Sequence, residues 1–383
     1  MKRKKKITFG ITAVLLVAVY LYYFIQNEKS LNISLAGEEE DNNLNQESKI
    51  HEDDRHGKDT NRPRYSRHWK NGIHLSVVAC GDRAEETIVL LKSAVLFTTG
   101  PLIFHIFAEF DFQPMFKQKL DNWPAKYKRK FLYYLYNVTF PTGNPQEWKK
   151  MFKPCATQRL FIPSLLKDVD SLLYVDTDIL FLRPVDDIWR FFDQFNSAQL
   201  AALVPEHEDK AASNYRFARH PYYGESGLNS GVLLMNLTRI RKSTWIDSMV
   251  KYYIQYKPII RYGDQDLLNI YFYHHIDELY VYSCEWNYRT DHCVNKSICK
   301  DIERNGVSVL HGSRRVMQNE DQPTFKAVYT AFKEHNISLR KERDLLTNLK
   351  KLLSKTSNSP CGQIGHLAYT KYIEEFVLER KTS

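Results

Sequence analysis

Residues 171–182 read Ser171-Leu-Leu-Tyr-Val-Asp-Thr-Asp-Ile-Leu-Phe-Leu182. The apolar run at the start is typical of a buried strand in a parallel sheet. Asp176 and Asp178 follow it one residue apart, so on an extended backbone both carboxylates point the same way. Open α/β sheets bind ligands where their strands end, and paired carboxylates there suit Mn²⁺ or Mg²⁺. The stretch predicts a metal–diphosphate site, although Asp-x-Asp also arises by chance and often merely closes a strand.

The N-terminus predicts a membrane anchor. Residues 2–6 are all lysine or arginine, and residues 7–25 carry no charge. Such a segment can cross a hydrocarbon core of about 30 Å, and the small-x-small site of a cleaved signal peptide does not follow it. The positive-inside rule then makes 1–6 a cytoplasmic tail and 7–25 a transmembrane signal-anchor, with the remainder lumenal or extracellular. Residues 26–71 are polar without an apolar period, which predicts a flexible stem.

Composition sets further limits on the class of protein. The chain has 383 residues and a net charge of +9, more than half of it within residues 2–6, so no nucleic-acid partner is expected. All six cysteines follow the predicted anchor, which suits an oxidising compartment. Cys284, Cys293 and Cys299 have the wrong spacing for a paired zinc site and are predicted only to lie close together. Five Asn-x-Ser/Thr sequons predict some N-glycosylation; they begin at Asn32, Asn137, Asn236, Asn295 and Asn336. Asn236 is the poorest candidate for glycosylation because it ends a strand-like run.

The folded domain is predicted to begin with a strand, a helix and a second strand. Ile73–Cys80 is apolar, Ala84–Phe97 has helical spacing, and Leu102–Phe110 is again strand-like. This order starts a nucleotide-binding α/β unit, which binds its ligand at the first turn. An ordinary turn is the alternative there. The residues expected to line a base and ribose pocket are Ala79, Cys80, Gly81 and Arg83.

The middle of the chain predicts one helix and two loops. Arg159 lies on a predicted helix, Thr157–Leu166, after a predicted surface loop, Pro141–Pro154. An arginine one helix ahead of a phosphate site could reach donor oxygens, but spacing alone favours a salt bridge on a solvated helix face. Glu206–Glu225 is polar and aromatic, and is predicted to be a mobile loop over the cleft. Three of its side chains could face a sugar or simply pack: Tyr215, Tyr222 and Tyr223.

Two polar motifs accompany the next predicted elements. Leu228–Asn236 is predicted to open with an Asn229-Ser230-Gly231 turn into a buried strand. Gly231 there permits close approach of a ligand, and the Asn229 amide could bond sugar hydroxyls. Further on, Gly263-Asp264-Gln265 begins a helix. Asp264 is either the N-cap of that helix or, with Gln265, a contact to the reacting sugar.

The last predicted strand, Val307–Leu310, leads into His311-Gly312-Ser-Arg314-Arg315. A histidine at a strand end, followed by glycine and two arginines, suits a third metal ligand with a cation over the phosphates. Taken alone, His311 is more often a core histidine with a satisfied hydrogen bond. Two or three helices are predicted from Thr324 onward, including Ile337–Leu353.

Together these residues resemble the family 8 glycosyltransferases, a GT-A group, over about residues 73–330. The resemblance implies an α/β fold with a Rossmann-like mixed sheet flanked by helices, in a single GT-A domain at 72–353 with a C-terminal extension at 354–383. Within the family, the chain is most similar to the glucoside xylosyltransferases. The matching elements, in order, are Val78-Ala79-Cys80, Arg159, Tyr174-Val-Asp-Thr-Asp178, Asn229-Ser-Gly231, Gly263-Asp-Gln265 and His311-x-x-x-Arg315.

The resemblance implies a retaining, metal-dependent transfer of xylose from UDP-xylose, in α1,3 linkage, to O-linked glucose on EGF-like repeats such as those of Notch. It implies a type II enzyme of the Golgi or endoplasmic reticulum. Mn²⁺ is the implied ion, with Mg²⁺ as the alternative, and its ligands are Asp176, Asp178 and His311. Arg159 and Asn229 are implied to contact the donor, and Asp264 and Gln265 to line the sugar. The cofactor-binding motifs also include Thr177, Ser230, Gly231 and Gly312.

The sequence departs from the family at one point and leaves other functions open. Many members end the histidine motif with a lysine and a proline that clamp the diphosphate, whereas this chain has Arg314 and Arg315. The alternatives within the family are UDP-glucose or UDP-galactose as donor, with another glycan as acceptor. A phosphatase of the haloacid dehalogenase type also has Asp-x-Asp after an apolar strand, but without the later motifs. A membrane-anchored glycan-binding pseudoenzyme would bind sugar without turnover.

Overall fold

The computed structural model describes residues 69, 71–140, 145–151, 155–294 and 298–382. Within these ranges seven strands form one sheet, in the order β3-β2-β1-β4-β7-β6-β8, and β5 pairs with β9 in a separate sheet. The strands are β1 (Ile73–Ala79), β2 (Leu102–Ala108), β3 (Phe131–Asn137), β4 (Ser171–Val175), β5 (Ile179–Phe181), β6 (Ala201–Pro205), β7 (Leu228–Asn236), β8 (Leu279–Val281) and β9 (Val309–His311).

Helices connect these strands. The α-helices in the described ranges are α1 (Ala84–Phe97), α2 (Gln113–Asp121), α3 (Ala125–Lys128), α4 (Pro145–Lys150), α5 (Gln158–Leu165), α6 (Val185–Trp189), α7 (Leu237–Lys242), α8 (Trp245–Tyr256), α9 (Asp264–His274), α10 (Asp301–Asn305), α11 (Pro323–Glu334), α12 (Glu342–Leu353) and α13 (Leu367–Thr382). Short 3₁₀ turns occupy several of the remaining connections.

Strand β4 lies at the centre of the large sheet. It is parallel to β1 on one side and antiparallel to β7 on the other, so the predicted parallel strand has one antiparallel neighbour. Residues 172–175 are at most 1% exposed, because helices cover both faces of the sheet. Leu173 and Val175 belong to one apolar cluster and Leu172 and Tyr174 to the other. This mixed α/β sheet flanked by helices confirms the predicted fold class.

Most predicted elements are present, and two need correction. Helix α1 has the predicted bounds, and β1 and β2 end slightly earlier than predicted. The predicted loop Pro141–Pro154 contains α4 in its described part. The Asn229-Ser230-Gly231 motif is strand rather than turn: Asn229 pairs with Val204 of β6, and the carbonyl of Gly231 accepts from the N–H of Asp176. Both neighbouring strands therefore extend the ladder through the motif.

The C-terminal helices pack on the core formed by α1. The ring of Phe97 meets Phe332 of α11 and Phe376 of α13 edge-on, with centroids 6.1 and 5.3 Å apart. Tyr369 and Ile373 of α13 are buried. These contacts bring part of the predicted C-terminal extension onto the main apolar cluster.

All six cysteines form disulfides, which excludes the zinc alternative. The bond between Cys284 and Cys299 confirms that these two cysteines lie close together, whereas Cys293 bonds to Cys361. The third disulfide, between Cys80 and Cys155, joins the end of β1 to the segment before α5. Each bond closes a loop and restricts the unfolded chain.

The sequons differ in exposure. Asn137 and Asn336 are exposed, whereas Asn236 is half-buried and its side chain caps α7 by accepting from the N–H of Arg239. Asn32 and Asn295 lie outside the described residues. So do the predicted tail, the anchor at 7–25 and the stem up to residue 68. Within the described ranges, no helix has both the length and the apolar character needed to span a bilayer.

Candidate active site

A cleft of about 480 Å³ opens where β1 and β4 end. It collects most of the residues that the sequence predicted for a binding site. Those on its wall are Cys80, Gly81, Arg83, Arg159, Asp176, Thr177, Asp178, Asn229, Ser230, Asp264, Gln265, His311, Arg314 and Arg315. Three predicted residues lie behind the wall instead. Ala79 is fully buried at the end of β1, Gly231 lies under the ring of His311, and Gly312 donates its N–H to the carbonyl of Asp178.

Asp176, Asp178 and His311 form the floor of this cleft. One ligand atom from each lies within 4.8 Å of the others. The Nε2 atom of His311 is 3.4 Å from Oδ1 of Asp178 and 3.7 Å from Oδ2 of Asp176. Two carboxylates and an imidazole nitrogen that converge in this way fit Mn²⁺ or a similar divalent ion. Cys80, Glu109 and Cys155 also lie close together, but the disulfide between the two cysteines leaves no thiolate to bind a metal.

Strand pairing explains why His311 meets the aspartates. After Asp178 the chain enters β5, and β5 pairs antiparallel with β9 so that Ile179 lies opposite His311. The N–H of Gly312 then bonds to the carbonyl of Asp178 at 2.7 Å. The register therefore brings a histidine from the end of the domain to the residue next to Asp178.

Arg159 lies against the carboxylate of Asp176 and is only 4% exposed. Its Nη2 is 2.8 Å from Oδ1 of Asp176, and its Nε is 2.6 Å from Oδ2 of Asp264. Its Nη1 donates to the carbonyl of Ser230 at 2.6 Å, and the guanidinium lies 4.5 Å from the ring centre of Tyr174. Burial alone would lower the pKa of Arg159, but Asp176 and Asp264 raise it above the ordinary arginine value. The prediction that Arg159 forms a salt bridge on a solvated helix face was wrong, because the helix is buried from Gln158 to Pro163.

Asp264 pairs with Arg159 and does not cap α9. Gly263 is the N-cap residue, its φ is +59°, and no side chain caps this helix. A positive φ there favours glycine, and the turn directs Asp264 into the cleft. The predicted N-cap role of Asp264 is therefore wrong. Next to it, Oε1 of Gln265 accepts from the backbone N–H of Ser230 at 3.1 Å.

The first turn after β1 also lines the cleft. Gly81 has a φ of +64° and donates its N–H to Oε2 of Glu109 at 2.9 Å. Nη1 of Arg83 lies 2.5 Å from Oε2 of the buried Glu86. Burial raises the pKa of Glu86, the charge of Asp178 raises it further, and Arg83 opposes both effects. This turn is fixed to the start of α5 by the Cys80–Cys155 disulfide.

Two arginines stand at the rim of the cleft. Arg314 and Arg315 have positive φ values of 60° and 63°. Arg314 Nη2 lies 2.5 Å from Oδ1 of Asp291, and Arg315 Nη2 lies 2.8 Å from Oδ2 of Asp82. Both side chains are more than half exposed, so water and salt screen these ion pairs.

The segment Glu206–Glu225 corrects another expectation. Tyr215 is fully buried and its hydroxyl donates to Oδ1 of Asp266 at 2.8 Å, so it packs in the core and presents no face to a sugar. Tyr222 and Tyr223 are half-buried. Gly227 explains the packing, because a Cβ there would lie 2.3 Å from the ring of Tyr215.

Three further residues contact the predicted site residues and were not predicted from the sequence. Asn287, which is fully buried, contacts both His311 and Asn229. Glu206 accepts from the amide of Asn229 at 2.8 Å and pairs with Arg289 at 3.1 Å. Glu206 and Arg289 line the cleft as well. Asn287 ends a single 3₁₀ turn, Cys284–Asn287, that carries no recognisable motif, so no pattern in the sequence indicated this residue.

Comparison with known proteins agrees with this geometry. Residues 74–313 match the model of glycosyl transferase family 8. The chain is 53% identical over 315 residues to glucoside xylosyltransferase 2 of Mus musculus, covering 79% of this chain and 71% of the relative. It is 50% identical over 320 residues to glucoside xylosyltransferase 1 of Homo sapiens, covering 80% and 72%.

A solved structure supports the fold. The apo form of the glycosyltransferase GlyE from Streptococcus pneumoniae superposes with a TM-score of 0.52 at 17% identity, covering 76% of this chain and 65% of that one. Similarity at this level concerns the path of the backbone. The family match and the half-identical relatives reach further, and they establish that this chain belongs to glycosyl transferase family 8.

Proposed function

We propose that this protein is a metal-dependent, retaining xylosyltransferase that transfers xylose from UDP-xylose, in α1,3 linkage, to O-linked glucose on EGF-like repeats. One observation carries the proposal: Asp176, Asp178 and His311 meet in a cleft that is also lined by most of the other predicted residues. The half-identical relatives named glucoside xylosyltransferases support the choice of sugar and acceptor.

The cleft divides into a nucleotide part and a sugar part. The turn Cys80–Arg83 offers backbone and one guanidinium to the base and ribose. Asp264 and Gln265 line the same cleft and would hold the hydroxyls of the sugar. Carboxylate and amide groups at fixed positions suit sugar hydroxyls, because each can form directional hydrogen bonds.

The diphosphate would lie over Asp176, Asp178 and His311. A divalent ion held there supplies positive charge to the leaving diphosphate. Arg314 and Arg315 add to it, since both stand at the rim of the same cleft. The ion pair of Arg315 with Asp82 is exposed on both sides and worth about 0–1 kcal/mol, whereas the Asp291 partner of Arg314 is only 27% exposed. A diphosphate can therefore draw Arg315 inward at a smaller cost than Arg314.

Retention at the anomeric carbon requires a covalent intermediate or attack from the same face as the leaving group. Oδ2 of Asp264 lies 2.6 Å from Nε of Arg159 in an ion pair, and the residue is 2% exposed, which makes its carboxylate a weak nucleophile. Gln265 carries no nucleophilic group. We therefore favour same-face attack, in which Asp264 and Gln265 orient the sugar. A glycosyl adduct on Asp264, trapped and located by mass spectrometry, would refute this preference.

The proposed location is the Golgi or endoplasmic reticulum, with a type II anchor at residues 7–25 and the catalytic domain in the lumen. Three disulfides in the described part of the chain support an oxidising compartment. Protease digestion of sealed microsomes tests the topology. A C-terminal tag should be protected until detergent is added, and cleavage in intact microsomes would contradict the proposed orientation.

Donor choice is tested by measuring UDP release from UDP-xylose, UDP-glucose and UDP-galactose with a β-glucoside as acceptor. We expect release with UDP-xylose and Mn²⁺ and none after the ion is chelated. Turnover with a hexose donor would select the alternative within the family. Sugar binding without turnover would indicate a pseudoenzyme, and hydrolysis of a phosphomonoester without a UDP-sugar would indicate a phosphatase.

The metal assignment is tested by Asp178→Asn. The amide keeps the shape of the carboxylate but loses the charge that a hard divalent ion prefers, so Mn²⁺-dependent transfer should be abolished while the fold persists. Asp186→Asn is the matched control. Its carboxylate accepts from Thr98, Thr99 and Gly100 away from the cleft, so this variant should lose stability but keep its metal dependence. Full activity of Asp178→Asn would end the metal assignment.

A further inference from the structure

A chain of buried side-chain amides runs behind His311. Oδ1 of Asn287 is 2.7 Å from Nδ1 of His311, and Nδ2 of Asn287 is 2.9 Å from Oδ1 of Asn229. Nδ2 of Asn229 is in turn 2.8 Å from Oε2 of Glu206. The chain ends at Arg289, whose Nη1 lies 3.1 Å from the same carboxylate oxygen.

The direction of every hydrogen bond in this chain is fixed from one end to the other. The backbone N–H of Gly231 can only donate, and it points at Oδ1 of Asn229 from 3.1 Å. That atom of Asn229 is therefore an oxygen, and the Asn287 atom facing it is an amide nitrogen that donates. The opposite atom of Asn287 is then an oxygen, which can only accept. The carboxylate of Glu206, paired with Arg289, fixes the far end in the same sense.

We propose that Asn229 and Asn287 are positioning residues that hold the proton of His311 on Nδ1 and so keep Nε2 free to bind the metal. An imidazole nitrogen coordinates a metal through its lone pair, and the hydrogen bond of the other nitrogen decides which one is available. The other nitrogen, Nε2, faces Asp176 and Asp178 and also lies 3.2 Å from the hydroxyl oxygen of Ser313, which can donate to the same lone pair. This inference deepens the proposed function and rests on it for the presence of the ion.

The backbone around Asn287 holds the amide in place. The N–H of Tyr288 donates to the carbonyl of Val309, and the N–H of His311 donates to the carbonyl of Tyr288, at 2.9 and 2.8 Å. The turn that ends at Asn287 is also closed by the Cys284–Cys299 disulfide. Asn287 therefore meets His311 as a preformed contact rather than one that a ligand must create.

The proton position can be read directly in the metal-free protein. In the full-length chain labelled with ¹⁵N-histidine, correlation spectra distinguish a protonated ring nitrogen from a bare one, and His311→Gln identifies the signal. We expect His311 to carry its proton on Nδ1 in the unmodified chain. A proton on Nε2, or an even mixture, would overturn the proposal whether or not the protein is a glycosyltransferase.

Three variants then connect the proton position to metal binding. Asn287→Ala removes the acceptor, so the proton should shift toward Nε2 and Mn²⁺ affinity should fall about 10–100-fold. Asn287→Asp keeps an oxygen against Nδ1 but sets its second oxygen against Oδ1 of Asn229, where a donor is lost. This variant should therefore lose stability while it retains the Nδ1–H signal and most of the affinity. The control is Asn305→Ala, which removes an amide that bonds to Glu285 in the same turn at 2.7 Å without touching His311.

The outcomes separate positioning from a general structural effect. The proposal is supported if Asn287→Ala loses Mn²⁺ affinity while Asn287→Asp and the control Asn305→Ala keep it. An equal loss in Asn305→Ala, or an unchanged Nδ1–H signal and affinity in Asn287→Ala, refutes it. If Asn287→Ala fails to fold, Asn287→Asp still decides, because loss of the Nδ1–H signal there contradicts the proposed role. Failure of the unmodified chain to bind Mn²⁺ would instead refute the proposed function.

Discussion

Replacing Arg159 by methionine should destabilise the protein strongly while changing the side-chain volume little. The guanidinium is the shared partner of Asp176 and Asp264 and also donates to the carbonyl of Ser230. Methionine fills much of the same space but offers no donor. The variant therefore leaves one carboxylate charged, buried and without its cation.

The expected magnitude follows from the burial of the two carboxylates. Asp264 is 2% exposed, so removal of its cation leaves an uncompensated buried charge, a change that typically costs about 3–5 kcal/mol. Asp176 is 24% exposed, and water and a bound ion can screen it, so its contribution is smaller. We expect the free energy of unfolding to fall by about 3–5 kcal/mol for Arg159→Met.

Urea denaturation of the metal-free protein measures this loss, and a double variant assigns it. Arg159→Met with Asp264→Leu removes both charges, and it should recover a large part of the stability that the single variant loses. Arg190→Met is the control, because its ion pair with Asp187 involves a side chain that is 72% exposed and should cost about 0–1 kcal/mol. A loss below about 1 kcal/mol for Arg159→Met, or no recovery in the double variant, would refute the buried-charge explanation.

Three further predictions concern other parts of the molecule. In Gly231→Ala the new Cβ would lie 2.2 Å from Cε1 of His311, so the ring must move and Mn²⁺ affinity, measured by calorimetry, should fall; unchanged affinity would contradict the packing. Burial lowers the pKa of His74 to about 4 from 6.5; the unfolded state then binds more protons between these values, so about 3 kcal/mol of stability should disappear as the pH falls from 6.5 to 4. His74→Gln should show a weaker pH dependence in urea titrations, and an identical one would exclude this source. Replacing both Cys293 and Cys361 by alanine opens a loop of 68 residues and should lower the free energy of unfolding by about 4 kcal/mol. A urea unfolding midpoint equal to that of the unmodified chain would show that other contacts already constrain the loop.

Sequence patterns predicted the strands and helices correctly where neighbouring residues alone determine the structure. The apolar run before Asp176 predicts a strand because helices cover both faces of a central strand, and Leu172 and Leu173 indeed point to opposite clusters. Helix α1 has its predicted bounds because its apolar spacing and the following Gly100-Pro101 act within one segment. Asp176 and Asp178 do lie close together, but they belong to the turn between β4 and β5 rather than to one extended strand, so the predicted alternation is not what brings them together.

Predictions failed for side chains whose position depends on a partner that is distant in the sequence. Asp264 follows Gly263 at a helix start and so has the pattern of a cap, but Arg159 binds its carboxylate from another helix. Arg159 itself lies on a short helix with mixed composition, and only the packing of α5 under β4 makes it a buried cation. Tyr215 belongs to a polar segment, yet its hydroxyl finds Asp266 in α9. In each case a long-range ion pair or hydrogen bond outweighs the local preference.

Asn229 shows how these two kinds of information combine. Its motif predicts a position at the cleft, and the antiparallel pairing of β7 with β4 places the start of β7 beside the end of β4. The role of its amide depends on Asn287, which lies 58 residues further along the chain, and on Gly231, whose N–H sets the orientation. Because a hydrogen-bond chain transmits direction from a fixed donor to the last acceptor, the glycine of the motif and the tautomer of His311 are linked through two side chains. Gly231, which the sequence suggested for contact with a ligand, instead leaves room for the ring of His311 and orients the amide of Asn229 through its N–H.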